Sequence, residues 1–516
     1  MIKTVSGIIL TILLVGIFAA VPNTPLVEAG ILSIYIKADG SLDPPTPLVQ
    51  RNGDLYVLAG NIKIALDNDG IVIERDNVTF DGGGYTVKGT RLLSHAGGIC
   101  LSRRSNVTVK DVKVDSFYYG ICLDNSSSIN IFGNDVTNNS EGIELYGSSN
   151  NSVSGNKITN NDNGIVLCYS SNNTIDRNDV TINSDGILLL KSPHCSIVGN
   201  SITENNHDGI CFASSSNSSI VENNIAENNG NGIHLDSSSN NNISGNRITE
   251  NTESGIVLWD NSNFNSILGN DIRANKACGI VLSGTAGVYG SSNCIISENN
   301  VAANEEGISL SGSSKNSIVK NNLAENLFSF KFTNSWNNFI YHNNLLNNTN
   351  QVFALESANV WDNGVEGNYW SNYADKDLDR NGIGDESYVI DGSNRDSYPL
   401  TKPWSQNSTI SMEVPVWGQF WFWAMIALGV TGLVSPMLGL RYYRKFRRQK
   451  EVFLTYESEL EKLQISHVER ARARFIRDAI EHEEKVDDFR KKYGISIRPA
   501  RTFEEAIRKL GVQKED

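Results

Sequence analysis

Several things are scarce in this sequence. Only 11 of its 516 residues are proline, which excludes a collagen-like or proline-rich chain. Its seven cysteines, at 100, 122, 168, 195, 211, 278 and 294, are odd in number and include no Cys-x-x-Cys pair. That spacing fits neither a zinc ribbon nor a fully paired disulfide scaffold. Basic residues are outnumbered: 44 Lys+Arg face 58 Asp+Glu, for a net charge of −14. The imbalance is uneven. From Arg441 onward 20 Lys+Arg stand against 15 Asp+Glu, which leaves 24 against 43 in the rest. So acidic a body lacks the clustered cations that phosphate contacts need, and no nucleic-acid partner is expected.

Long apolar runs are also few. Val5 to Val21 follows Lys3 and precedes a small-residue site at Val27-Glu28-Ala29, so residues 1–29 read as a secretory signal, with an uncleaved anchor as the alternative. Val416 to Leu440 carries no charge and at about 1.5 Å per residue can cross a hydrocarbon core of about 30 Å. Trp417, Trp421 and Trp423 crowd its start and RYYRKFRRQK follows its end. The positive-inside rule then puts residues 441–516 in the cytoplasm. Leu460, Leu463, Val468, Phe475, Ala479, Val486 and Phe489 give that tail a helical apolar stripe. The stripe calls for a partner: its own short helix, a second copy or another protein. The expected location is the cell membrane, spanned once, with the N-terminal part outside.

What the sequence has in plenty is Asn, Ser and Gly, in a repeat. Gly-Ile pairs recur at Gly98, Gly120, Gly142, Gly164, Gly186, Gly209, Gly232, Gly255, Gly279 and Gly307. A second marker keeps phase with them: Asn134, Asn156, Asn178, Asn200, Asn223, Asn246, Asn270, Asn299, Asn321 and Asn343. Units this short cannot hold a helix pair. Their Gly-Ile-x-Leu and Asn-x-Ile alternations, split by polar clusters, predict strands and turns. One unit cannot bury its own apolar residues, but a stack of units can. The Gly is expected to supply positive φ at a sharp turn. The asparagines are expected to form a ladder of stacked amides. Both markers place an insertion near 284–291.

GIVIERDNVTFDGGGYTV (Gly70–Val87), followed by iterated GNxIxxNxxGIxL coils, resembles the pectin-lyase-like (CASH-type) parallel β-helices of secreted carbohydrate-binding proteins and sugar hydrolases. GNYWSNYADKDLDRNGIGDESYVIDGSNRDSYPL (Gly367–Leu400) is similar to the C-terminal part of NosD-like proteins, named for periplasmic copper binding. The resemblance implies an all-β, right-handed, single-stranded parallel β-helix of about 12 coils. Residues 30–69 would form an N-terminal cap, 70–350 the repeats, 351–402 a C-terminal cap and 403–415 a linker. A membrane helix and a helical tail would follow. The fold alone implies no activity, because it hosts lyases, hydrolases, epimerases and adhesins.

Candidate sites come from the residues themselves. In DLDRNGIGD, Asp377, Asp379, Asn381, the Ile383 carbonyl and Asp385 occupy the 1, 3, 5, 7 and 9 positions of a calcium loop. Position 12 is Tyr388, not Glu, and an acidic Asx-turn is the competing reading. A bound Ca²⁺ would be structural. Copper, which the resemblance implies, finds no support, since the histidines do not recur at the coil step. The residue before each repeat Gly forms a column containing Glu141, Asp185 and Asp208. Asp185 and Asp208 on neighbouring coils would suit a glycosidase pair, yet Asp and Asn also simply favour the position before a turn. The next outward column includes Cys100, Cys122, Glu144, Cys211 and His234, either a groove or an ordinary pleated surface. Ten Asn-x-Ser/Thr sequons, from Asn77 to Asn407, are candidate glycosylation sites. The leading functional expectation is a non-catalytic surface module binding glycan or envelope protein. The alternatives are a polysaccharide-active hydrolase, lyase or epimerase, and a NosD-like copper-delivery accessory.

Overall fold

The computed structural model describes residues 30–405, apart from 66–67, 92–94, 286–289 and 375. The expected signal (1–29), membrane span (416–440) and tail (441–516) lie outside the described residues. Among those described, no helix is long and apolar enough to cross a membrane.

Each coil has three short strands. In one they are Glu141–Tyr146, Ser152–Ser154 and Lys157–Thr159. Alternation along a strand sends successive side chains to opposite faces, so Ile143, Leu145, Val153 and Ile158 turn inward and are fully buried. The next coil repeats them in register: Ile143 opposite Ile165, Leu145 opposite Leu167, Val153 opposite Ile175, Ile158 opposite Val180. Continued stacking builds three parallel sheets of 15, 15 and 14 strands around one aliphatic core. Antiparallel pairs occur at the ends, as between Ile34–Ile36 and Leu42–Asp43 and between Tyr388–Val389 and Arg395–Asp396.

Setting aside the antiparallel Leu42–Asp43, the first sheet gives about 14 turns, more than the 12 expected. The extra turns lie at the ends. Ile34–Ile36 already pairs parallel with Ile71–Ile73, and Asn350–Leu355 still stacks on Phe328–Thr333.

The repeat glycines act differently from expectation. None of them, from Gly98 to Gly307, has a left-handed φ. They are buried where neighbouring coils come closest. A Cβ on Gly209 would lie 2.8 Å from the Gly232 carbonyl oxygen and 2.8 Å from Ile225 Cγ2. The requirement is for space, not for φ. Left-handed turns fall elsewhere, as at Gly133, Gly155 and Gly199, each one residue before a column asparagine.

Polar columns line the corners. The first runs from Asn134 to Asn343 and on to Asn368: each Nδ2 donates to the Oδ1 of the next coil's asparagine, as Asn178 does to Asn200 at 3.0 Å. A second, five residues later in each coil, runs from Asn139 to Asn348 in the same way. A serine column passes from Ser126 to Ser262, each hydroxyl accepting from the backbone N–H of the coil before. A fourth mixes Asn, Ser and Cys, and the buried Cys195 and Cys294 belong to it.

Candidate functional site

The outward face of the first sheet gathers the chain's more unusual chemistry. Tyr119, Glu141, Asn163 and Asp185 stand opposite one another on successive strands, and Asp208 follows on the next coil. The two outward columns expected from the sequence share this face, because Gly and Ile both turn inward between them.

Burial pushes the Glu141 carboxyl up to about 7; the Asn163 amide, donating to Oε1 at 3.1 Å, works against this, while Glu144, Asp162 and Asp185 add to it. Glu141 Oε2 is buried with no hydrogen-bond partner. Glu144 is raised to about 6, first by burial and then by Asp124. Asp185 is raised by burial, and its Oδ1 accepts from the Asp208 N–H at 3.3 Å. His207 Nδ1 lies 3.9 Å from Asp185 Oδ2. Asp208 is fully engaged: Oδ1 accepts from the Asn231 N–H at 2.7 Å and from Asn231 Nδ2 at 3.0 Å, while Oδ2 lies 3.0 Å from His234 Nδ1.

Two aromatic groups edge the face. Tyr118 and Tyr119 pack edge to face with centroids 4.7 Å apart, and His95 sits 4.8 Å from Tyr118. Tyr146 and Tyr169, on adjacent coils, meet at 5.9 Å and are 48% and 57% exposed. The Cys100 and Cys122 sulfurs are in contact at 2.9 Å as free thiols.

The acidic loop of the C-terminal cap is separate. Asp377 Oδ1 accepts from the Asn381 N–H and Oδ2 from the Gly382 N–H, each at 3.0 Å. Asp379 accepts from the Asn381 N–H and Nδ2, Asp385 Oδ2 accepts from the Leu378 N–H at 2.8 Å, and Ile383 bridges to Leu400. Here the carboxylates face backbone donors.

Residues 51–202 and 97–234 match the family described as right handed beta helix region. Residues 183–289 and 279–375 match the family described as periplasmic copper-binding protein (NosD). The chain belongs to the NosD-like right-handed β-helix proteins. No curated protein sequence matches it. Solved structures similar to this NosD-like chain include the Dettilon tailspike protein, at 16% identity over 56% of this chain and 62% of that one, with a TM-score of 0.38. The chain thus spans about three-fifths of that tailspike's length. The A-module of the Azotobacter vinelandii mannuronan C-5 epimerase AlgE6 aligns at 13% identity over 58% of this chain and 91% of the module, TM-score 0.41. PfbA, a surface adhesin of Streptococcus pneumoniae, aligns at 14% over 55% and 82%, TM-score 0.36.

The copper in the family's description meets an imperfect donor set here. One group among the described residues converges, Asp208, Cys211 and His234, with ligand atoms within 4.8 Å of one another. Cu(I) favours sulfur and imidazole donors; a carboxylate as one of three does not suit it. Cys211 pairs with His234 across adjacent strands, and Asp208 precedes Cys211 by three residues. Taken one at a time, the two columns hide this diagonal between them, and the sequence gives no other signal for it.

Proposed function

We propose that this protein is a membrane-anchored, extracytoplasmic β-helix module that binds a neutral glycan along the outward face of its first sheet without transforming it. The observation that carries this reading is the exposed Tyr146–Tyr169 pair on the same outward face as the Glu141–Asp208 column, at its opposite edge. Exposed aromatic faces offer sugars an apolar platform with a polar rim, and the carboxylates accept hydrogen bonds from hydroxyls. The same carboxylates repel a polyanionic chain, which favours a neutral glycan. Asp208 spends both oxygens on Asn231 and His234, a holding role that leaves it poorly placed as half of a glycosidase pair.

Affinity electrophoresis of the full-length protein tests this in gels cast with neutral or acidic polysaccharides. Retardation by a neutral polymer, lost in Tyr146→Ala/Tyr169→Ala, is expected. Free migration in every gel would point to an envelope protein as the partner instead. A cleared zone would favour a second reading, a polysaccharide-active enzyme with Glu141 as its acid, supported by that group's raised pKa in a half-buried site; Glu141→Gln should then abolish clearing.

The extracytoplasmic part of the proposal rests on residues 1–29 and the anchoring part on 416–440, and the latter predicts that the protein stays with membranes in alkaline carbonate. Calcium at Asp377, Asp379, Asn381, Ile383 and Asp385 would be structural, and would raise the unfolding temperature of the cap relative to chelator.

A further inference from the structure

We propose that Asp208, Cys211 and His234 form a site for a borderline divalent transition-metal ion of the Zn(II) type, with one coordination position open to solvent. The inference goes beyond glycan binding and shares only Asp208 with the face described there.

The placement follows from the fold. Asp208 and Cys211 lie on one coil and point outward on either side of the inward Gly209-Ile210 pair. His234 is the register partner of Cys211 on the next coil. Carboxylate, thiol and imidazole atoms therefore converge within 4.8 Å. Tetrahedral zinc, with bonds of about 2.0–2.3 Å, needs its ligand atoms roughly 3.4–3.6 Å apart, a contraction within the reach of side-chain rotation. His234 Nδ1 and Asp208 Oδ2 are already 3.0 Å apart.

Three further observations point to a cation. First, His234 Nδ1 and Asp208 Oδ2 already face each other in the cluster that Cys211 completes, so an ion held through Nδ1 would leave the buried, unpartnered Nε2 to a water. Second, carboxylates outnumber cations around the cluster: Asp185 lies on the coil before Asp208, and Asp236 closes the strand that carries His234. Asp236 and Glu253 also face His234. Among the described residues, the ion pairs of Asp185 and Asp208 are to His207 and His234. Third, an outer shell orients the ligands. The backbone and side-chain N–H groups of Asn231 hold Asp208 Oδ1, which leaves Oδ2 turned toward His234, and the Trp259 ring packs edgewise on the imidazole at 6.2 Å. Such outer contacts are what fix metal-ligand geometry.

The donor chemistry selects the ion. Calcium wants six or more oxygens. Cu(I) wants only soft donors. One thiolate, one imidazole and one carboxylate suit Zn(II). All three side chains are half-buried, so water or a ligand atom can reach the fourth position.

The test is titration of chelator-treated, full-length protein with Co(II), followed by displacement with Zn(II). A thiolate-to-cobalt charge-transfer band, the strong visible bands of four-coordinate cobalt and their loss on adding zinc are expected. Cys211→Ser, a one-atom change, should abolish the charge-transfer band and weaken zinc binding at least about 10-fold. Asp208→Asn should weaken binding while keeping the band. Cys168→Ser, on the same face, should change neither. Thermal unfolding of the metal-free variants checks that each remains folded. A spectrum that survives Cys211→Ser, the absence of any cobalt spectrum, or tight Cu(I) uptake that zinc cannot compete with would each overturn the proposal. None of these readouts involves a polysaccharide, so failure here is distinct from failure of glycan binding.

Discussion

At Glu141 the cost of removing a carboxylate from water exceeds the help of its single amide partner. Its folded pKa, about 7, stands above the ordinary value of 4.5. The folded state therefore holds this proton more tightly than the unfolded chain does. Stability from this group is full below pH 4.5 and is lost as pH rises through 7. Glu141→Gln should stabilise the protein at pH 8, on the order of 1–3 kcal/mol, and change little at pH 4. Urea unfolding at both pH values checks this, and a difference independent of pH would refute it. The glycines allow a second comparison. Gly164 is hemmed in by Val180 and by the Gly186 carbonyl, whereas Gly155 is left-handed at φ 60° with nothing within 4 Å of where a methyl would sit. Gly155→Ala should cost about 1–2 kcal/mol in backbone strain. Gly164→Ala should cost more than that, at least about 3 kcal/mol, because backbone must move as well. The reverse order in denaturant midpoints would restore the left-handed account of the repeat glycine.

At the scale of one coil the polar columns decide specificity. Asn200 Oδ1 accepts from the Asn178 N–H and Nδ2, and its own Nδ2 donates to Ile175, Val198 and Asn223. Replacing it with Ala strands several buried groups at about 1–3 kcal/mol each, so Asn200→Ala should cost about 3–5 kcal/mol. Denaturant unfolding against Asn206→Ala, outside the columns, is the measurement. This is also where legibility from sequence divides. The Asn134 column is visible because each member stands in a fixed relation to an apolar residue. The Asn139 column has the same period but lies among neighbouring asparagines, as in Asn160-Asn161, and nothing local says which one turns inward. Serine runs such as Ser214-Ser215-Ser216 hide the inward Ser215 in the same way. The diagonal from Asp208 through Cys211 to His234 is readable only by combining a step of three with a step of one coil.

Over the whole solenoid each coil contacts only its neighbours, so the ends limit stability. At the C-terminal end the first asparagine column stops at Asp396. That carboxylate accepts from the Asn368 N–H at 2.7 Å, from Trp370 Nε1 at 2.8 Å and from the Tyr398 N–H at 3.1 Å. A column whose members all donate forward needs a terminal acceptor that donates nothing, and an ionised carboxylate meets that need. Beyond it, Trp404 is tied back by Asn344 through both its N–H and its carbonyl, which fixes the point where the chain leaves the cap. Asp396→Ala should loosen the last coils first. Hydrogen exchange should rise at Asn344–Leu346 and Tyr369–Trp370 and stay unchanged at Ile143 and Ile165; uniform acceleration would show that the solenoid unfolds as one unit.

Because the amides of the two long asparagine columns all donate forward, as Asn178 does to Asn200 and Asn326 to Asn348, their dipoles add along the axis instead of cancelling. The solenoid is in this sense an electret, with its positive pole at the end where Asp396 sits. The carboxylate of Asp396 lies against that pole, so replacing it would leave uncompensated a field that one residue type, repeated in one register, has built.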